Sequence, residues 1–317
     1  MAVDDNMAYA ACVLISSLKE TSEGPFEIVM GFHQGTLSPT NQNIIQEICH
    51  ALDIPCELRV LEVDSRFITQ GHISATTFSK FQLADLYPER HLWIDADTVA
   101  LRGWDALFDL TASAPRQAGL VVAERGDVGS PEGKSVDNPS LLPFNAGILG
   151  WPEGSRRDWT TALDELDVVA TQEQYLLNSL YAETAMRVSE KFNMMTYRLD
   201  SVARNDAPFI IHFAGAHKPW QLHPRFRQAC RRHGCPWSEW FKAEEFLLQR
   251  AELSALIRTL HAGAISGLKT DTVPAGRHNS GLRLVKTLNI LGPLGWLLIH
   301  TAQLFQRHIP RGTHPLH

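Results

Sequence analysis

"HLWIDADTV" spans residues 91–99, an apolar run that ends in two aspartates, Asp95 and Asp97, with one alanine between them. A strand that is apolar throughout is buried on both faces, as central strands of α/β sheets are. In open sheets of that class, ligands bind outside the carboxyl ends of the strands. Residues i and i+2 of an extended chain point to the same side, so both carboxylates are expected to face one point. Two like charges that close repel unless a cation sits between them. Hard oxygen ligands suit magnesium or manganese. Alone, the pattern is weak, because aspartates also gather at turns for local backbone reasons.

Further strands are expected at "FEIVMGFH" (26–33), "CELRVLEV" (56–63), "GLVVAE" (119–124), "NAGILGW" (145–151) and "PFIIHFAG" (208–215). Between them lie helical patterns. "ACVLISSL" (11–18) reads as a buried helix. "SPTNQNIIQEICHAL" (38–52) carries a Ser cap and a first-turn proline, then Ile44, Ile45, Ile48, Cys49 and Leu52 on one face. "TTFSKFQLADLY" (76–87) is helical as well. Strands separated by helices predict an α/β fold with a mostly parallel central sheet covered on both faces. The Gly-, Pro- and Ser-rich stretch 125–143 reads as a lid or substrate loop. Residues 241–263 read as one amphipathic helix stopped by Gly263.

The chain has 317 residues, 44% hydrophobic and 20% charged, which excludes general disorder. Its formal charge of -6 is unevenly spread. Residues 221–317 hold 13 Lys and Arg against 5 Asp and Glu, leaving 16 against 30 for residues 1–220. An acidic body with a basic tail suits a tail that seeks an anionic surface. Thr287–Gln306 carries no charge but is interrupted by Asn289, Pro293, His300 and Gln303. It is expected either to lie in a membrane interface or to dock on the body, rather than to span. Five cysteines without framework spacing suit a reducing cytosol. A zinc site at Cys230, His233 and Cys235 would want a second ligand pair, and none is obvious. The N-terminal "MAVDDNMAYA" lacks the basic flank and apolar core of a signal peptide.

Three more stretches carry chemistry. "IIHFAGAHKPWQ" (210–221) ends an apolar strand at His212, a common metal ligand, then passes Gly215 to Lys218. Glycine admits an anion close to backbone amides, and a lysine supplies a point charge for phosphate. In "PFNAGILGW" (143–151), the Asn145 carboxamide could bond sugar hydroxyls. "TQEQYLLNSL" (171–180) opens a helix with Glu173 and Gln174, where an acid also complements the helix dipole.

In their order these motifs resemble family 8 glycosyltransferases, retaining enzymes of the GT-A fold. The pattern is "VDDN" near the start, "HISATTFSKFQLADL", the D-x-D, "FNAG", an acidic-Gln pair leading to "LN", and "HFAGAHKPW". It is most similar to the bacterial lipooligosaccharide galactosyltransferases. The resemblance covers roughly residues 2–221. It implies a GT-A catalytic domain over 1–221, followed by a basic, helical extension over 222–317 that is similar to the family's membrane-associating C-terminus in composition only and is expected to meet a membrane. It implies Mn²⁺ (or Mg²⁺) on Asp95, Asp97 and His212, with Asp4, Asp5 and Asn6 near the uridine of a UDP-sugar. Gly215 and Lys218 would meet the diphosphate. Lys80, Glu124, Asn145, Ala146, Glu173 and Gln174 would surround the donor sugar, with Glu173, Gln174 and Lys218 as the catalytic set.

Four positions depart from the family. Met7 stands where a base-contacting Tyr is usual, Lys80 replaces an Arg, Glu173 replaces an Asp, and only Met1–Val3 precede Asp4. The reading is a metal-dependent hexosyltransferase moving galactose or glucose from UDP to a hydroxyl of a lipopolysaccharide or other glycan. Its expected place is cytoplasmic, on the inner face of a membrane, with no nucleic-acid partner. Two rivals use the same residues: a nucleotidyltransferase releasing pyrophosphate, and a non-catalytic nucleotide-sugar-binding protein.

Overall fold

The structure, a computed structural model, describes residues 1–67, 75–124, 143–155, 157–165, 173–201, 207–215, 218–222 and 224–267. The loop at 125–143, save Pro143, and the uncharged stretch at 287–306 lie outside the described residues.

Helix α1 (Ala8–Thr21) is buried from Ala8 through Leu18, as a helix apolar on every side must be. Its two interior serines are satisfied: Ser16 Oγ donates to Ala243 O (3.2 Å), and Ser17 Oγ accepts from Ala100 N (2.9 Å). Strand β1 (Ile28–His33) and strand β2 (Cys56–Leu61) pair in parallel, joined by α2 (Pro39–Ala51). Ser38 caps α2 by accepting from Asn41 N, and Ile44, Ile45, Ile48 and Cys49 are its buried side. Met1–Val3 extend this sheet by a single parallel bridge, Ala2 to Gly31.

Helix α3 (Ser79–Leu86) follows a 3-10 turn at Ala75–Phe78 and leads into β3 (His91–Ile94), β4 (Thr98–Ala100), α4 (Ala106–Ser113) and β5 (Val121–Ala123). Then come β6 (Ile148–Trp151), α5 (Trp159–Glu165), α6 (Glu173–Tyr181), β7 (Met186–Val188), β8 (Met194–Met195) and β9 (Ile210–His212). Strands β3, β6, β5 and β7 form one sheet in that order, and β4, β9 and β8 another. The α/β class holds, but the mostly parallel sheet gives way to a mixed one among the described residues. Strands β3–β6, β5–β6 and β4–β9 pair antiparallel, whereas β1–β2, β5–β7 and β8–β9 pair parallel. A strand buried on both faces reads as apolar whichever way its neighbour runs.

The apolar character of β3 has a direct cause. Alternate side chains leave a strand on opposite faces, and Trp93 enters one hydrophobic cluster while Ile94 enters the other. The Trp93 cluster includes Phe78, Phe81, Phe144, Leu149 and Tyr181. The Ile94 cluster gathers α1, β1, β9 and the C-terminal helices α7 (Pro224–His233), α8 (Ser238–Leu248) and α9 (Ala251–Gly267).

The expected single helix over 241–263 is instead two, broken at Gln249 and Arg250, and Gly263 lies within the second. Trp240, Phe241 and Leu247 before the break, and Leu253, Ile257 and Leu260 after it, all enter one core, which a bend allows. Glu244 of α8 is 2% exposed and accepts from Tyr9, Arg227 and Arg231, tying α7 and α8 to α1. Cys230 and Cys235, expected to be unpaired in a reducing compartment, are joined as a disulfide between α7 and α8. Among the described residues no helix is long and apolar enough to cross a membrane.

Candidate active site

Strand β3 ends at Ile94, and its ladder runs one step further, Asp95 N donating to Gly147 O (2.8 Å). The backbone then turns at Ala96–Asp97 instead of staying extended. Buried Ala96 and the Thr98 hydroxyl, which donates to Asp95 O (2.8 Å), close the turn. The next strand, β4, sets Thr98 opposite His212 of β9. The turn and the antiparallel register therefore do what two extended residues were expected to do. Asp95, Asp97 and His212 each offer a ligand atom, all within 4.8 Å of one another.

Two lysines answer these acids. Lys218 Nζ donates to Asp97 Oδ2 (2.5 Å) and to Phe213 O (2.9 Å). Lys80, fully buried, donates to Ala146 O and Glu173 Oε1, both at 3.0 Å, with Asp95 Oδ1 at 3.9 Å. Burial alone would push the Lys80 ammonium down, yet Asp95 and Glu173 raise it above the usual lysine value. The two aspartates part company. Burial, reinforced by Asp97, raises Asp95 despite Lys80. Asp97 is desolvated too, but His212 and Lys218 hold its carboxyl well below the usual range. Three acids (Asp95, Asp97, Glu173) thus face two lysines, an excess of negative charge that a divalent cation would relieve.

The donor set suits such an ion. His212 Nδ1 lies 2.9 Å from Asn193 Oδ1, an acceptor, so a ring proton sits there and Nε2 is the nitrogen turned to the acids. That nitrogen faces Asp97 Oδ1 at 3.4 Å, a gap that a second ring proton or a cation would bridge. Two carboxylates and one imidazole nitrogen fit manganese or magnesium. Trp93 Nε1 steadies Asp95 by donating to Oδ1 (2.6 Å).

The remaining residues fall into two groups. Ala146 and Glu173 meet the aspartates through Lys80, and Asn145 and Gln174 are bonded beside them at Ala146 N and Gly147 N. Gln174 Oε1 accepts from Asn145 Nδ2 (3.0 Å) and Ala146 N (3.2 Å), so the Asn145 carboxamide faces protein groups. Asn178 brackets Phe144, accepting from its N (2.7 Å) and donating to its O (2.9 Å). The others are held by local bonds. Asp4 Oδ1 accepts from Asn6 N and Met7 N, both 3.0 Å, at the start of α1, and burial raises its carboxyl. Asp5 Oδ1 accepts from Ser38 N and Asn41 Nδ2, both 2.8 Å. Exposed Gly215 has φ +95°, a conformation that favours glycine. Glu124 is exposed and holds Val188 O through its backbone N (2.8 Å). His72–Ser74, Ala216 and His217 lie outside the described residues.

Sequence reasoning missed Asn193, Trp93 as a partner of Asp95, and the reason for Gly147. A Cβ on Gly147 would overlap the His212 ring. The "AG" of "FNAG" is there to make room for an imidazole.

The architecture matches known structures. An active-site mutant of LgtC aligns with a TM-score of 0.58 at 19% identity, covering 77% of this chain and 93% of that one. The galactosyltransferase LgtC in complex with donor and acceptor sugar analogs gives 0.56 at 20% identity, covering 86% and 96%. The bifunctional glycosyltransferase WbbM gives 0.53 at 19%, covering 76% of this chain and 50% of its own. General stress protein A of Bacillus subtilis (strain 168) is 23% identical over 249 residues, 68% of this chain and 85% of the relative. Residues 1–223 match the family described as Glycosyl transferase family 8. The chain belongs to that family, and it is a glycosyltransferase with the GT-A fold.

Proposed function

We propose that this enzyme moves galactose or glucose from a UDP-sugar to a hydroxyl of a glycan or lipid-linked glycan, such as a lipopolysaccharide, with retention at the anomeric carbon. The observation that carries the reading is the convergence of Asp95, Asp97 and His212 in a chain of this family. These three residues would hold Mn²⁺ or Mg²⁺, which when bound supplies Lewis-acid stabilisation of the charge on the departing diphosphate.

The chain's own groups do the rest. Lys218 sits on Asp97 and is free to turn its ammonium toward a diphosphate once that carboxylate has another partner. Lys80 pairs with Glu173 and holds the Ala146 carbonyl, so the floor under the donor sugar is fixed. Gln174 is locked through Oε1 and is a poor nucleophile, which favours attack from the face of departure. Asp4, Asp5 and Asn6 lie at the uridine, Gly215 at the diphosphate, and Glu124 beside the sugar. Residues 1–221 form the catalytic unit, and 222–317 reach toward an anionic inner membrane face in the cytoplasm.

The test is metal-dependent UDP release across a panel of UDP-sugars. Release from UDP-galactose or UDP-glucose, lost in Asp95→Asn at saturating manganese, is the expected result. Undiminished turnover in that variant would remove the metal assignment. Pyrophosphate release from a nucleoside triphosphate would replace the whole reading.

A further inference from the structure

We propose, resting on the reading of Asp95, Asp97 and His212 as cation ligands, that Asn193 is a positioning residue of the metal centre. It fixes His212 in the tautomer that offers Nε2, and two backbone amides, those of Ala146 and Gly147, dictate the direction of every hydrogen bond in between.

A backbone N–H only donates. Ala146 N points at the Gln174 carboxamide (3.2 Å), so the oxygen of that amide faces it. The same oxygen lies 3.0 Å from the Asn145 side chain, which must present its NH₂ there. The other end of Asn145 is then its oxygen, and Gly147 N donates to it at 2.9 Å, an independent check of the same orientation. Asn193 approaches that oxygen at 2.9 Å and must do so with its NH₂. Its own oxygen is left for His212 Nδ1, again at 2.9 Å. A proton is therefore on Nδ1, and Nε2 is the nitrogen left for a cation.

Amide orientations are ordinarily assigned from the network around them, but here reversal is blocked at both anchors. Turning all three amides round would set an NH₂ against the Ala146 N–H and another against the Gly147 N–H. Turning Asn193 alone would bring two oxygens face to face at Asn145. Buried polar groups left so are costly. Asn193 is 7% exposed and His212 is 3% exposed, so water has little room to substitute. Histidines that bind metals are commonly set by such an outer partner, and losing it typically costs 10–100-fold in affinity.

The experiment uses full-length protein labelled with ¹⁵N-histidine, the His212 signals being identified by their loss in His212→Gln. Wild type should show a pyrrole-type Nδ1 and a pyridine-type Nε2. Manganese alone, titrated by electron paramagnetic resonance, should bind Asn193→Leu about 10–100-fold more weakly than wild type. A neutral ring protonated on Nε2 in wild type would overturn the proposal, as would a folded Asn193→Leu that binds manganese like wild type. If Asn193→Leu does not fold, the wild-type spectrum still decides the tautomer. A wild type that binds no manganese but shows Nδ1–H would sink the metal reading while leaving the hydrogen-bond order intact.

Discussion

The ring of His212 occupies the space that a side chain at residue 147 would need. The ring cannot retreat easily, because its Nδ1 is tied to Asn193 and its strand is paired on both sides. Gly147→Ala is therefore expected to displace the imidazole instead of being absorbed. Overpacking of this kind costs about 1–3 kcal/mol of stability. Manganese affinity, measured by calorimetry, should fall at least tenfold, whereas the exposed glycine Gly24, with open space around it, should tolerate alanine without that loss of metal.

Lys80 is a fully buried cation between two acids, and its removal should be felt as stability before it is felt as chemistry. Breaking a buried pair by deleting one partner costs about 3–5 kcal/mol. Lys80→Met should lower the urea midpoint accordingly. Adding Glu173→Gln should return part of the loss, since the orphaned charge is then gone. A double variant no more stable than Lys80→Met would show that the ion pair is not the source.

Glu244 joins the C-terminal helices to α1, and it gives the protein an acid-sensitive seam. Burial pushes its carboxyl up, but Arg227 and then Arg231 outweigh this, so the net shift is downward. A depressed carboxylate stabilises the fold above its unfolded value, about 4.3, and that contribution is lost as pH falls through the lower folded value. Denaturant midpoints should therefore drop below about pH 4. Glu244→Gln should cost about 3 kcal/mol at neutral pH and flatten the acid limb.

The basic tail makes a separate prediction. Truncation before Gly281 should leave UDP release by the soluble enzyme unchanged and weaken its partition onto vesicles containing anionic lipid. Each basic residue near such a surface is worth about 1 kcal/mol, so loss of Arg283, Lys286, Arg307 and Arg311 should be readily seen by vesicle sedimentation. Equal binding by both forms would remove the membrane contact.

Much of this protein is set by local composition, which a sequence displays. The buried α1, the Ser38-capped α2, the apolar β3 and the pairing of Asp95 with Asp97 all follow from the residues in one short window. His212 and Lys218 were legible because an apolar strand ending in a histidine, then a glycine and a lysine, is chemically suggestive wherever it occurs. Tertiary structure alone decided the rest. Strand direction and the contact of Lys80 with Glu173 are relations between distant segments, and the break between α8 and α9 serves a core that other elements build. Nothing in "KFN" announces that Asn193 will orient an imidazole, and nothing in "FNAG" that its glycine is small for the sake of His212. Periodicity reports whether a side chain is buried; only packing determines which atom it meets there, and hydrogen-bond direction and steric room depend on that atom.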